Sequence, residues 1–362
     1  MKRILSLTYI LCALLVFSCD MLENHEQEGF PIYLSVRSET STEDGVKSPY
    51  IVTSPSLENP LSAKVLVSTT QYEYDNTAED QNPKDGQTGP IAIHTNATFT
   101  GTEKQLLNGA LYNSDPLKQP LVYFSALHPQ DKWTITGNTD SKNYTASYTF
   151  SGKEDVMFAP VTTGSYNKLP LPQLTFKHLL TYIKLYIYAE SEEVSKAWGK
   201  ITSVKIKNAH DMGNGSNKVT VDLSSSDQSA SFTPVQDYAA SFYYSQNDMD
   251  FPGSSGYELP YSTTPPAEEA AYVLMAPVTA LKADKIDSSL EVDEFEIIIK
   301  SENRSSTLKV DLMKNSSEYY TGSTAGKQFS FILKFTMGNT VAVQARVTDW
   351  KTGGIGIGDV ME

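Results

Sequence analysis

Along much of the chain, apolar and polar residues alternate with a period of two, the pattern of a strand with one face buried and one in water. The clearest run sets Phe329, Phe331, Leu333 and Phe335 against Ser330, Ile332 and Lys334. The next sets Val341, Val343, Ala345 and Val347 against Ala342, Gln344, Arg346 and Thr348, and Met337-Gly338-Asn339 lies between as a turn. This predicts a hairpin. Shorter alternations occur at Ile32, Leu34 and Val36, at Tyr144, Ala146, Tyr148 and Phe150, at Val219, Val221 and Leu223, and at Leu308, Val310 and Leu312. Phe176, Leu179, Leu180, Ile183 and Ile187 also fit a helical face, but their β-branched and aromatic neighbours favour a strand pair or a strand with a bulge near His178. Short helices are expected at 102–111 and 191–198.

Turn-rich pieces such as Gln81-Asn82-Pro83-Lys84-Asp85-Gly86, Gly213-Asn214-Gly215-Ser216-Asn217 and Ser262-Thr263-Thr264-Pro265-Pro266 interrupt any helical pattern. The expected topology is therefore all-β and sandwich-like. The most natural boundary is Gly164 to Pro172, where a glycine and two prolines separate two strand-rich halves.

The first 18 residues follow another pattern. Lys2 and Arg3 precede an apolar run from Ile4 to Phe17, then the small residue Ser18 and Cys19, as in a secretory signal peptide. The run is shorter than the roughly 20 residues a membrane-spanning helix needs. Val16-Phe17-Ser18-Cys19 resembles the lipobox of bacterial lipoproteins, in which the cysteine is acylated and becomes the mature N-terminus. Plain secretory cleavage, leaving a free thiol, is the alternative. Residues 20–28 form an acidic tether that resembles the export signal of Bacteroidetes surface lipoproteins.

Composition narrows the function. The 362 residues carry 29 Lys+Arg against 43 Asp+Glu, a net charge of -14, which excludes a simple basic nucleic-acid binder. With 40% apolar residues, 21 Tyr and 14 Phe there is ample material for a core. Cys12 and Cys19 leave no disulfide framework after cleavage. His25, His94, His128, His178 and His210 stand far apart, so no metal site is expected. No Gly-x-Ser-x-Gly elbow, P-loop or mature cysteine nucleophile is present. The run Glu291 to Glu296 could pair carboxylates for glycosidic chemistry, but a solvated strand face has the same pattern. Asp248-Met249-Asp250 lacks the later ligands of a calcium loop and fits a surface loop. Trp133, Trp198 and Trp350 could stack on sugars, although core packing is the commoner use.

Five segments in order carry a resemblance. Tyr123-Phe124-Ser125-Ala126-Leu127-His128-Pro129 is similar to a strand ending Ala-Tyr-Tyr-Pro, with Leu127 and His128 in place of the two tyrosines. Asp155 to Pro160 resembles a segment closing a first half, and Leu174-Thr175-Phe176-Lys177-His178-Leu179 resembles a Phe-x-His-Leu opening of a second. Ala271 to Pro277 looks like an apolar strand ending in proline. Ala325 to Phe329 with Val347-Thr348-Asp349-Trp350 resembles a closing hairpin and Asp-Trp ending. Together with the start of the chain, these resemble the fimbrillin family of Bacteroidetes, subunits of type V pili, over most of residues 120–352. Residues 38–119 match no segment.

The resemblance implies two tandem transthyretin-like Greek-key β-sandwich domains, here 30–168 and 169–362, following the signal peptide 1–18 and the tether 19–29. It implies a palmitoylated lipoprotein of the cell outer membrane, lipidated at Cys19, that polymerises into a fimbrium and takes part in adhesion. A trypsin-like or arginine-specific protease would remove the first strand, and a strand from the next subunit would fill the groove. Ile32, Leu34 and Val36 would be that first strand, with cleavage between Arg37 and Ser38. Arg37 is the first Lys or Arg after Cys19, and Lys47 is the next. A solvent-facing charge on an edge strand is the other role open to Arg37. The donor would lie within 340–360, with Val341, Val343, Val347 and Trp350. The expected partners are other fimbrial subunits, the outer membrane through the lipid anchor, and a host or bacterial surface ligand, without nucleic acid. No catalysis, cofactor or metal is expected. The rival is a surface glycan-binding lipoprotein that stays monomeric.

Overall fold

A computed structural model of the chain describes residues 29–38, 55, 57, 60–68, 92–100, 105–113, 121–138, 143–165, 172–208, 216–224, 228–235, 238–278, 295–310, 313–315, 318–319, 323–337 and 341–349. The first half contributes β1 (Gly29–Ser38), β2 (Leu61–Ser68), β3 (Ala92–Phe99), β4 (Gln105–Asn113), β5 (Val122–His128), β6 (Thr134–Asn138), β7 (Asn143–Thr149) and β8 (Met157–Gly164). After it come β9 (Gln173–His178), β10 (Thr181–Ala189), the helix α1 (Glu192–Trp198), β11 (Ile201–Asn208), β12 (Lys218–Asp222), β13 (Ala230–Phe232), β14 (Ala240–Tyr244) and β15 (Asp250–Phe251). The chain continues with β16 (Ala271–Met275), β17 (Phe295–Ser301), β18 (Ser305–Val310), β19 (Met313–Asn315), β20 (Glu318–Tyr319), β21 (Lys327–Phe335) and β22 (Val341–Asp349). Among the described residues the protein is all-β apart from one short helix. No described helix is long and apolar enough to cross a membrane.

The described strands pair in four sheets. A seven-stranded sheet runs β3-β2-β5-β8-β9-β1-β4. A nine-stranded sheet runs β18-β17-β11-β14-β16-β10-β21-β22 with β15 beside β14. A four-stranded sheet runs β13-β12-β7-β6, and β19 pairs with β20. The nine-stranded sheet folds on itself at β14, which pairs with β11 only at Ala240 and Ser241 and with β16 at Tyr243 and Tyr244. Its two parts face each other. Ile183, Leu185 and Ile187 of β10 and Phe329, Phe331 and Leu333 of β21 meet Val204 and Ile206 of β11 and Ile297 and Ile299 of β17.

The expected hairpin at 329–347 is present as β21 and β22, antiparallel and in unbroken register from Lys327 opposite Asp349 to Phe335 opposite Val341. The ambiguous stretch around His178 is a strand pair, β9 and β10. Strand β10 buries both faces. Its odd positions fill the core just described, and Tyr182 faces a second core with Tyr148, Tyr243 and Tyr272. That second core draws on both halves of the chain, because β7 pairs with β12 from Thr149 opposite Lys218 to Thr145 opposite Asp222. On the C-terminal side of the boundary expected at Gly164 to Pro172, β9 joins the first-half sheet, antiparallel to β8 and parallel to β1.

Helix α1 forms at 192–198, as its sequence predicts. Ser191 caps it by accepting the Val194 N–H, and Glu192 and Glu193 sit in the first turn, where the helix dipole favours acids. It buries Val194 and Trp198. The helix expected at 102–111 is not found, since residues 105–113 form β4. Leu106, Leu107, Ala110 and Leu111 have helical spacing, but the backbone pairing supplied by β1 overrides so short a local preference.

Candidate functional site

Strand β1 holds two different neighbours along its length. Gly29 to Leu34 pair antiparallel with β4, and Ser35 to Ser38 pair parallel with β9. The register with β4 slips between Pro31 and Tyr33. A proline has no N–H for the ladder and is tolerated at such an irregularity. Leu34 sits at the change of partner with no solvent exposure, packed with Leu61, Val65, Phe124, Ala126, Met157, Leu174 and Phe176. Full burial of one such side chain contributes about 2 kcal/mol. Taking β1 away would leave open backbone edges on β9 and β4 and an apolar slot where Leu34 was. Only an added strand satisfies both needs at once.

The residues expected to mark cleavage end this strand. Arg37 stands opposite Thr175 and Ser38 opposite Phe176. The Arg37–Ser38 bond is thus held in a ladder, and any protease acting there would need that end of β1 to peel from β9 first. Cys19, Lys47 and Trp350 lie outside the described residues, as do residues 291–294 of the acidic run.

At the other end of the chain, β22 is the last strand of its sheet, with Val343 opposite Leu333 and Val347 opposite Phe329. Val341 is buried in the core of the second half. The expected donor residues that are described therefore lie in a strand already folded onto its own chain.

A cluster that sequence spacing does not reveal runs from β5 across to β9, the neighbour of β1. The Nδ1–H of His178 donates to Oδ1 of Asp155 across 2.9 Å, and Nδ1–H of His128 donates to the Ser62 carbonyl across 2.6 Å. All three side chains are buried. They come from three of the five resemblance segments, which lie on or next to the adjacent strands β5, β8 and β9. Burial lowers the pKa of His128 below 6.5, against the opposing pull of Asp155 and the Ser62 carbonyl. Separations of 50 residues between His128 and His178 hid the group. The signal available in the sequence was their position within the motif segments. Among the described residues no set of three His, Cys, Asp or Glu side chains could hold a metal ion.

Of two other expectations, the surface loop at Asp248 changes and the core packing of the tryptophans holds for the two that are described. Asp248 is not on a surface loop, because a turn with positive φ folds it inward, where it accepts a hydrogen bond from the Tyr272 hydroxyl. Trp133 and Trp198 are buried, so neither offers a face to a sugar.

This is a β-sheet protein whose first strand is held on both sides within its own sheet. The chain matches the fimbrillin-like family model over residues 63–350 and belongs to that family. It is accordingly a protein of the fimbrillin-like class. Among curated proteins, none matches the chain. Among solved structures, the chain is similar to a candidate cell adhesion protein of Bacteroides uniformis, with 12% identity and a TM-score of 0.48 over 90% of this chain and 100% of that one. Another candidate cell adhesion protein, of Bacteroides ovatus, shows 14% identity and a TM-score of 0.49 over 90% and 99%. A fimbrial protein of Bacteroides vulgatus shows 12% identity and a TM-score of 0.37 over 88% and 99%. The family assignment rests on the family model and not on these structures.

Proposed function

We propose that the chain is a structural, non-catalytic subunit of a surface fimbria that polymerises by exchange of strands. It would be exported as a lipoprotein acylated at Cys19 and held at the outer membrane. Cleavage between Arg37 and Ser38 would free β1, and the C-terminal strand of another subunit, with Val341, Val343, Val347 and Trp350, would enter the vacated slot. The observation that carries this reading is the placement of β1, which is bonded by β4 and β9 on its two sides and commits Leu34 to the core. A strand so placed is costly to lose and specific to replace, because the newcomer must satisfy two backbone edges and one apolar pocket.

The test is N-terminal sequencing of purified protein treated with a trace of trypsin-like protease, together with a gel run without boiling. A new terminus at Ser38 with a ladder of SDS-resistant multimers is expected, and Arg37→Gln should abolish both. Protein cut at Ser38 that remains monomeric at high concentration would overturn the exchange step.

A further inference from the structure

The buried histidines and Asp155 play no part in strand exchange as described, yet the register lines them up in a row from β5 to β9 whose near end, at His178, adjoins the slot that matters for it. His128 of β5 stands opposite Met157 of β8, and Met157 stands opposite His178 of β9. Directly opposed residues project from the same face of a sheet. Both histidines therefore share the face of Met157, Ala126 and Phe176, which is the face that Leu34 covers. Asp155, two residues before Met157, reaches His178 from the same side. Strand β1 runs parallel to β9 with Ser38 opposite Phe176, so His178 lies two residues beyond the end of β1, roughly 7 Å at about 3.3 Å per residue.

Few groups are available to hold a charge in that row. From β2 the Ser62 carbonyl faces His128. From the segment before β8 comes Asp155, and from β9 His178. From β1 the core receives Leu34. Glu154 is engaged by the Ser151 N–H and hydroxyl, with Lys132 near it, and Lys177 stands opposite Phe158 on the other face of the sheet. Among the described residues, then, a proton added to His128 meets one carboxylate that is already bonded to His178.

We infer that the His128, Asp155 and His178 row is an acid-sensitive latch on the C-terminal end of β1: proton uptake at His128 loosens the closed end of the core and lets the Arg37–Ser38 end peel from β9. The link from latch to assembly rests on the cleavage proposed above, whereas the latch itself does not. Folding holds the pKa of His128 below 6.5, so the unfolded or opened chain binds the proton more tightly than the closed one. Closure is therefore at full strength above pH 6.5 and weakens as pH falls below it toward the pKa of the closed state. One proton taken up on opening shifts the equilibrium by up to about tenfold per pH unit.

Hydrogen–deuterium exchange of the full-length protein at pH 7.5 and 5.5, corrected for intrinsic rates, reads this directly in peptides covering 29–38 and 173–178. Protection there should drop by up to about tenfold at the lower pH, while peptides from β10 and β21 stay unchanged. His128→Asn, which keeps a donor for the Ser62 carbonyl but cannot take up the proton, should hold its protection at both values. Equal protection of wild type at the two pH values would overturn the latch, as would a loss in His128→Asn as large as in wild type. If that variant does not fold, the NMR titration of His128 decides, since a midpoint at or above 6.5 overturns the inference. Acid-induced loss of protection with no cut at Arg37 would keep the latch and sink the protease trigger, and a pH-independent cut with constant protection would do the reverse.

Discussion

His178 donates through Nδ1 to Asp155 across 2.9 Å, with both side chains sealed from solvent, and this bond ties the end of β9 to the chain leading into β8. Leu179 continues the tie by donating its N–H to the Val156 carbonyl. Removing the carboxylate would take from a buried imidazole its charged acceptor, a loss of about 2–3 kcal/mol. Asp155→Ala should therefore lower stability in urea by that amount. Asp155→Asn, which keeps an acceptor oxygen, should cost roughly half as much.

Leu34 gives a separate measure of how firmly β1 is held. Leu34→Ala empties a site with no solvent exposure and should cost about 2–5 kcal/mol in chemical denaturation. Leu57→Ala, at a residue 84% exposed, should change stability by less than about 0.5 kcal/mol. Equal effects from the two would mean that β1 contributes nothing to the core.

Gly137 of β6 stands opposite Tyr144 of β7, and an added Cβ would run into the tyrosine ring. Tyr144 is buried and packs in the core shared by the two halves, so the ring cannot simply swing out. Gly137→Ala should destabilise by about 1–3 kcal/mol through overpacking. Thermal denaturation of that variant beside Gly137→Ala combined with Tyr144→Ala tests the cause, because the double variant should relieve the clash.

The tyrosines predict behaviour in alkali. Burial, with the charge of Glu269 adding to it, pushes Tyr186 up to about 12, and burial raises Tyr182 well above 10. The folded chain thus keeps these phenolic protons more tightly than the unfolded chain does. Stability from them is complete below pH 10 and declines as pH rises through 12. Absorbance of tyrosinate against pH should show one group of the 21 tyrosines ionising near 10 and a delayed group that appears only with unfolding.

Much of the architecture was legible because exposed faces mark it. In β21 Phe329, Phe331, Leu333 and Phe335 are buried while Ser330, Ile332 and Lys334 are partly so, which is the alternation read from sequence. Strand β4 was misread as a helix because Leu106, Leu107, Ala110 and Leu111 have helical spacing and only β1, some 75 residues earlier, dictates otherwise. Asp248 was read as a surface residue because nothing local says that Tyr272 will donate to it. The histidine row was invisible for the same reason, since three residues between 128 and 178 meet only through strand register. Sequence periodicity carries information about neighbours within a strand, and pairing between distant strands is set by the fold as a whole.

The four-stranded sheet binds the two halves in a way that bears on how the chain comes apart. Strands β7 and β12 share five consecutive register pairs, and Trp133, Tyr144 and Tyr148 from one half pack with Val219, Val221 and Leu223 from the other. Gln228 adds a bond across the same junction by accepting the Val161 N–H at 2.6 Å. Neither half can melt without stripping cover from its companion, so heating should give one cooperative calorimetric transition. A filament built from such subunits would meet tension with each subunit as a single mechanical block, yielding first at the joints between neighbours.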